Sequence, residues 1–217
     1  PAPTNTPLPI VDVRMIQMPT ETEVATYAGQ GNGYRRADSD APGNRFRLYE
    51  VAGMPHNSSR ENPGFLNDPC TLPVTDFPAG AFTALGLNYL VEWTANGKTP
   101  PHAPPIAVEN GAVVLDEYGN AKGGVRSVFV DVPVAANGVM GKGRTPAQDR
   151  LCQLGGTKVM LPDATLAKLY KNSEGYQKRV NARLAGFVKE GWFLPEYADD
   201  VRRDAAGLQI GVANHRP

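Results

Sequence analysis

Arg45-Phe46-Arg47-Leu48-Tyr49-Glu50-Val51-Ala52, followed at once by Gly53-Met54-Pro55-His56, is the stretch whose reading decides the fold. Phe46, Leu48, Tyr49 and Val51 make an apolar, β-prone run of strand length, and Gly53 and Pro55 break it. The chain therefore leaves a strand on a loop that carries one of only three histidines, His56. Upstream, residues 10–18 read as a second strand, with Val11, Val13, Ile16 and Met18 apolar and Pro19 as its stop. Its exit, Thr20-Glu21-Thr22-Glu23, is expected to open a loop. Loops at the carboxyl ends of strands are where α/β proteins place binding and catalytic groups. Two neighbouring strand ends thus present carboxylates, Glu21 and Glu23, and then an imidazole, His56.

Outward from this pair, residues 1–9 are rich in Pro and Thr and read as a linker, and residues 57–77, with Pro63, Pro69 and Pro73, as an extended surface loop. Residues 79–96 predict a helix whose Phe82, Leu85, Tyr89 and Trp93 recur at helical spacing. Asp76 or Thr75 is expected to cap it, with Pro78 in the first turn and Gly97 at the exit. Gly86 in its interior costs about 1 kcal/mol relative to Ala. Residues 106–134 turn β: 112–115 and 127–132 flank the turn signal Asp116-Glu117-Tyr118-Gly119-Asn120, giving a hairpin arm with a kink at Gly123-Gly124. The last third is helical, over residues 164–170 with Asp163 as cap, 173–190, and 195–206. Tyr176, Val180, Leu184, Phe187 and Val188 form one apolar stripe, read as core packing.

Composition removes several function classes. The charges balance, 22 basic against 22 acidic, which argues against nucleic acid or an anionic membrane as partner. No apolar run approaches the roughly 20 residues that cross a bilayer. With 23 Gly and 20 Pro the chain must make many turns and long connections. GxGxxG, Walker A and HExxH are missing, and Gly29-Gln30-Gly31-Asn32-Gly33 reads as a flexible loop because it opens no apolar helix. His102 falls in a Pro-rich turn and His215 beside the C-terminus, both expected at the surface. A metal held by His56 with Glu21 and Glu23 lacks a second nearby histidine, so neither metal nor cofactor is expected. Cys70 and Cys152 are either two buried thiols or one disulfide closing a long loop; a Pro- and Gly-rich chain leans to the disulfide, hence to a secreted or periplasmic protein. Asn57-Ser58-Ser59 fits a glycosylation sequon.

The order of carboxylate then histidine has a chemical meaning. In one hydrolase layout the triad runs nucleophile, acid, histidine. The acid orients the imidazole, and the imidazole takes the nucleophile's proton and later delivers it to the leaving group. The bland alternative is a solvated loop histidine beside two solvated carboxylates.

Arg47-Leu48-Tyr49-Glu50-Val51-Ala52-Gly53-Met54-Pro55-His56 resembles the R-x-x-E-V-A-G-x-x-H segment of a family of α/β-hydrolase-domain proteins. Leu90-Val91-Glu92-Trp93 with Gly97, Pro100 and Pro101, the run from Asp116 to Arg126, Asp131-Val132-Pro133-Val134, Cys152-Gln153-Leu154-Gly155-Gly156-Thr157 and Leu194-Pro195 resemble it too. The resemblance spans residues 13–204. It implies that His56 is the triad histidine and that Thr20-Glu21-Thr22-Glu23 is the acid loop, where a T-E-T-D-like pattern is usual. Glu23 stands at the Asp position, and the choice between Glu21 and Glu23 stays open.

No G-x-S-x-G occurs in these residues. In the family resembled, the nucleophile and oxyanion hole lie upstream of the acid-bearing strand. The expected fold is therefore α/β: the C-terminal portion of an α/β-hydrolase sheet, with a peripheral β-hairpin arm and C-terminal helices. Residues 1–70 would supply the last two sheet strands with the acid and histidine loops, and residues 71–217 the packing helix, arm and C-terminal helices. The expected activity is that of a serine esterase or amidase part, acting on a small-molecule ester or amide. It would be active together with an N-terminal portion of the same precursor that carries the serine. The alternative is a non-catalytic interaction or structural protein that kept the fold and lost the nucleophile.

Overall fold

The computed structural model of the chain describes residues 5–65 and 67–211; His215 lies outside them. β1 (Arg14–Gln17) and β3 (Asn44–Leu48) run parallel, Arg14 opposite Arg45 and Gln17 opposite Leu48. β2 (Ser39–Ala41) adds antiparallel to the far side of β3, so that among the described residues β1 is an edge. The two expected strands are present but shorter than their apolar runs. Extended backbone continues past them, since Val51 bridges Thr20 on one side and Val125 on the other. β2 has no apolar pattern to announce it. It is held by charge: the Asp40 carboxylate pairs with Arg47 at 2.7 Å. Arg47 is fully buried in β3, donates to the carbonyl of Pro100 at 3.0 Å and lies over the Trp93 ring.

Between β1 and β2 the expected loop at residues 20–23 is instead the start of α1 (Glu21–Ala28). Thr20 and Glu23 form a reciprocal capping box, a T-x-x-E signal that satisfies N–H groups otherwise orphaned at a helix start. Val24 and Ala28 are buried, but eight residues give a short apolar stripe, too brief to announce a helix by periodicity.

α2 (Ala79–Ala95) matches its expectation and buries Phe82, Leu85 and Trp93. Its interior Gly86 has a packing reason: a Cβ there would collide with the Sδ of Met18, just beyond β1. Neither Thr75 nor Asp76 caps α2. Pro78 stands at the cap, Glu61 accepts from the N–H of Gly80 at 3.2 Å, and Asp76 pairs instead with Lys158 at 2.7 Å. Asp163 is likewise the first helical residue of its helix, after Pro162.

The arm begins with β4 (Val108–Glu109) and β5 (Ala112–Val113) and returns through a turn in which the Asp116 carboxylate accepts from the N–H groups of Tyr118 and Asn120. Its expected second strand, residues 127–132, is a single helical turn, α3 (Val128–Asp131). The backbone N–H groups of Asp131 and Val132 close onto the carbonyls of Ser127 and Val128, while Val128, Val130 and Val132 are all buried. A strand would send all three to one face; the helical turn instead puts Val130 in a cluster with Val24 and Ile106 and leaves Val128 and Val132 in the one with Phe77 and Phe82, and a short apolar run does not distinguish the two forms. A further hairpin, β6 (Ala135–Gly138) with β7 (Thr157–Met160), encloses α4 (Pro146–Leu154), which starts in a second capping box between Thr145 and Gln148. α5 (Asp163–Tyr170), α6 (Ser173–Glu190) and, after a 3-10 turn, α7 (Ala198–Gly207) complete the chain. The α6 stripe is core: Tyr176, Val180, Leu184 and Phe187 pack in one cluster with Tyr49, Phe77, Phe82 and Val201.

Two buried features tie these pieces together. Glu50, 0% exposed, accepts from the Tyr34 hydroxyl, from Nε and Nη2 of Arg35, and from the N–H of Ile106, at 2.6–2.8 Å. Cys70 and Cys152 form a disulfide across a separation of 82 residues, packed with Phe65.

Glu50→Gln should lower stability by about 3 kcal/mol, because it leaves Arg35 without its bidentate partner. Replacing both cysteines by alanine should cost about 2–5 kcal/mol, the range expected for opening a long loop. Urea unfolding of each variant against the parent protein measures both.

Candidate active site

The first turn of α1 meets the loop after β3 through three successive residues. Glu21 donates its N–H to the carbonyl of Met54 at 2.9 Å, and its carboxylate accepts from the N–H of Gly53 at 2.6 Å. Gly53 has φ +78, a left-handed conformation that favours glycine, and a Cβ there would press on Val130. Thr22 accepts from the N–H of His56 at 3.0 Å and donates to the carbonyl of Val139 at 2.7 Å. Glu23 reaches the imidazole itself: Oε1 lies 2.6 Å from Nδ1 of His56. Its other oxygen, Oε2, accepts from the Thr20 N–H at 2.8 Å and from the Thr20 hydroxyl. One carboxylate therefore closes the helix start and orients the histidine at the same time.

With the carboxylate as acceptor, Nδ1 carries the proton and Nε2 is left as the basic nitrogen. The Glu23 side chain is 14% exposed and the His56 side chain 43%, so the pair is supported from one side and open on the other. His56, Glu23 and Thr20 line an open pocket of about 480 Å³, with Gln17, Met18, Pro19, Tyr27, Tyr34, Met54 and Thr83 forming the rest of its wall. Such a volume suits a small organic substrate.

Of the two candidate carboxylates, the fold brings Glu23 and not Glu21 to the imidazole. Glu21 is 3% exposed, and burial raises its pKa to about 7 against the opposing pull of the Gly53 N–H and the Arg126 charge. Its place is under the turn that presents His56. His102 contacts Asp38 at 2.7 Å and is largely exposed, away from this pocket. Among the described residues no group of three His, Cys, Asp or Glu side chains could hold a metal ion. Sequence reasoning missed Thr22 as the anchor of the His56 backbone, and Tyr27 and Tyr34 as pocket walls. The T-x-x-E signal was available for the first; nothing local announces the other two.

The His56 loop is also braced from behind. Asn57 donates its N–H to the carbonyl of Leu154 at 2.9 Å, and Gly141 to that of Cys152 at 2.8 Å, so the disulfide-tethered segment sits against it.

A family model described as an alpha/beta hydrolase domain matches residues 2–203. No curated protein and no solved structure matches the chain.

The raised pKa of Glu21 has a defined consequence for stability. Its carboxyl titrates near 4.5 when unfolded and near 7 when folded, so between these values the folded protein holds a proton that the unfolded chain has lost. Stability contributed by this group is present below the lower value and falls as pH rises toward the upper one. Glu21→Gln, which does not titrate, should therefore gain on the parent protein between about pH 4.5 and about pH 7, by up to roughly 3 kcal/mol. Urea midpoints of both proteins at each pH measure the difference.

Proposed function

Since the chain belongs to the alpha/beta hydrolase domain family, we propose that it is the acid- and histidine-bearing part of an esterase-like serine hydrolase acting on a carboxylic ester or amide. The observation that carries this reading is the 2.6 Å contact of Glu23 with Nδ1 of His56 beside an open pocket. Nε2 of His56 takes the proton from a serine hydroxyl as its oxygen attacks the substrate carbonyl carbon. Glu23 holds the ring and stabilises the imidazolium that forms. The tetrahedral intermediate collapses when His56 gives that proton to the leaving alcohol or amine. Water then repeats the sequence on the acyl-enzyme and releases the acid.

The serine comes, in this reading, from an N-terminal portion of the same precursor, on the same or a separate chain, because no G-x-S-x-G is found in the 217 residues. The unpaired edge of β1 supports a place for it, since exposed strand edges recruit further strands. Ile10 and Val13 before β1, and Leu87 and Val91 on α2, which packs on β1, are exposed apolar side chains. The disulfide favours an exported setting, secreted or periplasmic. The missing serine motif also favours a second reading, a non-catalytic interaction protein that kept the acid–histidine pair.

A fluorophosphonate probe separates the two. In the hydrolase reading it labels a serine in the native particle, and His56→Ala abolishes labelling. Glu23→Gln should lower kcat by about 10³–10⁴-fold through loss of the orienting carboxylate. Glu21→Gln should change it by less than about tenfold, since that side chain acts only on the loop backbone. No label on any associated chain establishes the non-catalytic reading, and loss of turnover confined to Glu21→Gln would reassign the acid.

A further inference from the structure

Resting on the reading that His56 serves a serine, we propose that the pocket beside its imidazole selects an uncharged apolar group of the substrate, aromatic by preference, and rejects anionic and cationic groups of the same size. Among the described residues lining the pocket, Glu23 is the one with a permanent charge, and both its oxygens are already used, on His56 and on Thr20. Among the described residues no lysine or arginine lines it. A carboxylate seated there would leave water, find no cation and face Glu23. A substrate cation would meet an imidazole that must itself become a cation during the reaction, which raises the cost of that step.

Much of the remaining wall is built for apolar contact. Met18 and Met54 offer flexible thioethers, which adapt to varied shapes and make favourable contacts with aromatic rings. The Tyr27 and Tyr34 rings meet at 6.0 Å between centroids and tilt by 59°, a favoured aromatic pairing, and both rings line the pocket, where an aromatic group of the substrate can pair with them in the same way. Tyr34 contributes its ring alone. Its hydroxyl is spent on Glu50 at 2.6 Å, and burial and that carboxylate hold it firmly in the neutral form. Selection is thus set by where the charges of the site are committed.

Three ligands of similar size test this without any turnover: acetophenone, benzoate and benzylammonium, titrated into the full chain while the methyl signals of Met18 and Met54 are followed by NMR. Acetophenone should shift both signals and bind at least about tenfold more tightly than either ion, given the cost of burying an unpaired charge. Tyr27→Ala should weaken acetophenone by about fivefold through loss of ring contact. Tyr27→Arg should reverse the order in favour of benzoate by supplying the missing cation. Equal or tighter binding of benzoate or of the ammonium to the parent protein, or Met18 and Met54 signals that do not move, would overturn the proposal even if the variants do not fold. Acetophenone selectivity with no fluorophosphonate labelling would sink the hydrolase reading and leave the pocket assignment standing. Labelling without selectivity would do the reverse.

Discussion

The carboxylate of Glu50 is the constraint on which the rest of the structure depends. It has no exposed surface, and a charge taken out of water must be surrounded by donors or it unfolds the protein that buries it. Four donors from three separate groups meet it: the Tyr34 hydroxyl, two nitrogens of Arg35, and the backbone N–H of Ile106. The loop after α1, the end of β3 and the root of the arm must therefore converge on one point. The backbone carbonyl of the same residue accepts from Val125 at 2.7 Å, which stitches the far end of the arm to the same place. One residue further, Val51 bridges Thr20. The helix start and the histidine loop are brought side by side as a consequence of where a buried charge is satisfied.

From that junction the site follows with little freedom left. Helix starts have N–H groups to satisfy, and here the residue that satisfies one of them, Glu23, has a second oxygen to spare for His56. Glu21 and Thr22 take the backbone of the same loop at Gly53, Met54 and His56. Orientation of the imidazole thus rests on a short, capped helix rather than on a loop-to-loop contact, a rigid support for the side chain. The disulfide-tethered segment, hydrogen-bonded to Asn57 and reached through Val139, closes the other side.

The same bookkeeping of charge explains the character of the pocket. Arg35, next to Tyr34, and Arg126, whose charge acts on Glu21, are engaged by Glu50 and Asp131. Glu23 is engaged by Thr20 and His56. The remaining surface of the pocket is thioether, ring and neutral polar atoms.

Sequence alone determined the parts that rest on local rules. The run ending at Ala52, broken by Gly53 and Pro55, set a strand that delivers His56 to its end; helical spacing located α2 and α6; and the quoted motifs pointed to the α/β-hydrolase-domain family, to which the chain belongs. Only the tertiary structure decided which carboxylate meets the imidazole, because Glu21 and Glu23 stand two apart in one capped turn and helical geometry sends them in different directions. It also decided that residues 128–131 form a helical turn rather than extend, since the turn sends Val130 to one core cluster and Val128 and Val132 to another, and that β2 forms, since it carries no apolar pattern and is held by its pairing with β3 and the ion pair of Asp40 with Arg47. Tyr34, far from His56 in sequence, became a wall of its pocket only because Glu50 draws its hydroxyl inward. Each of these turns on where a charge or an apolar side chain finds its partner across the fold, and a linear sequence does not state that distance.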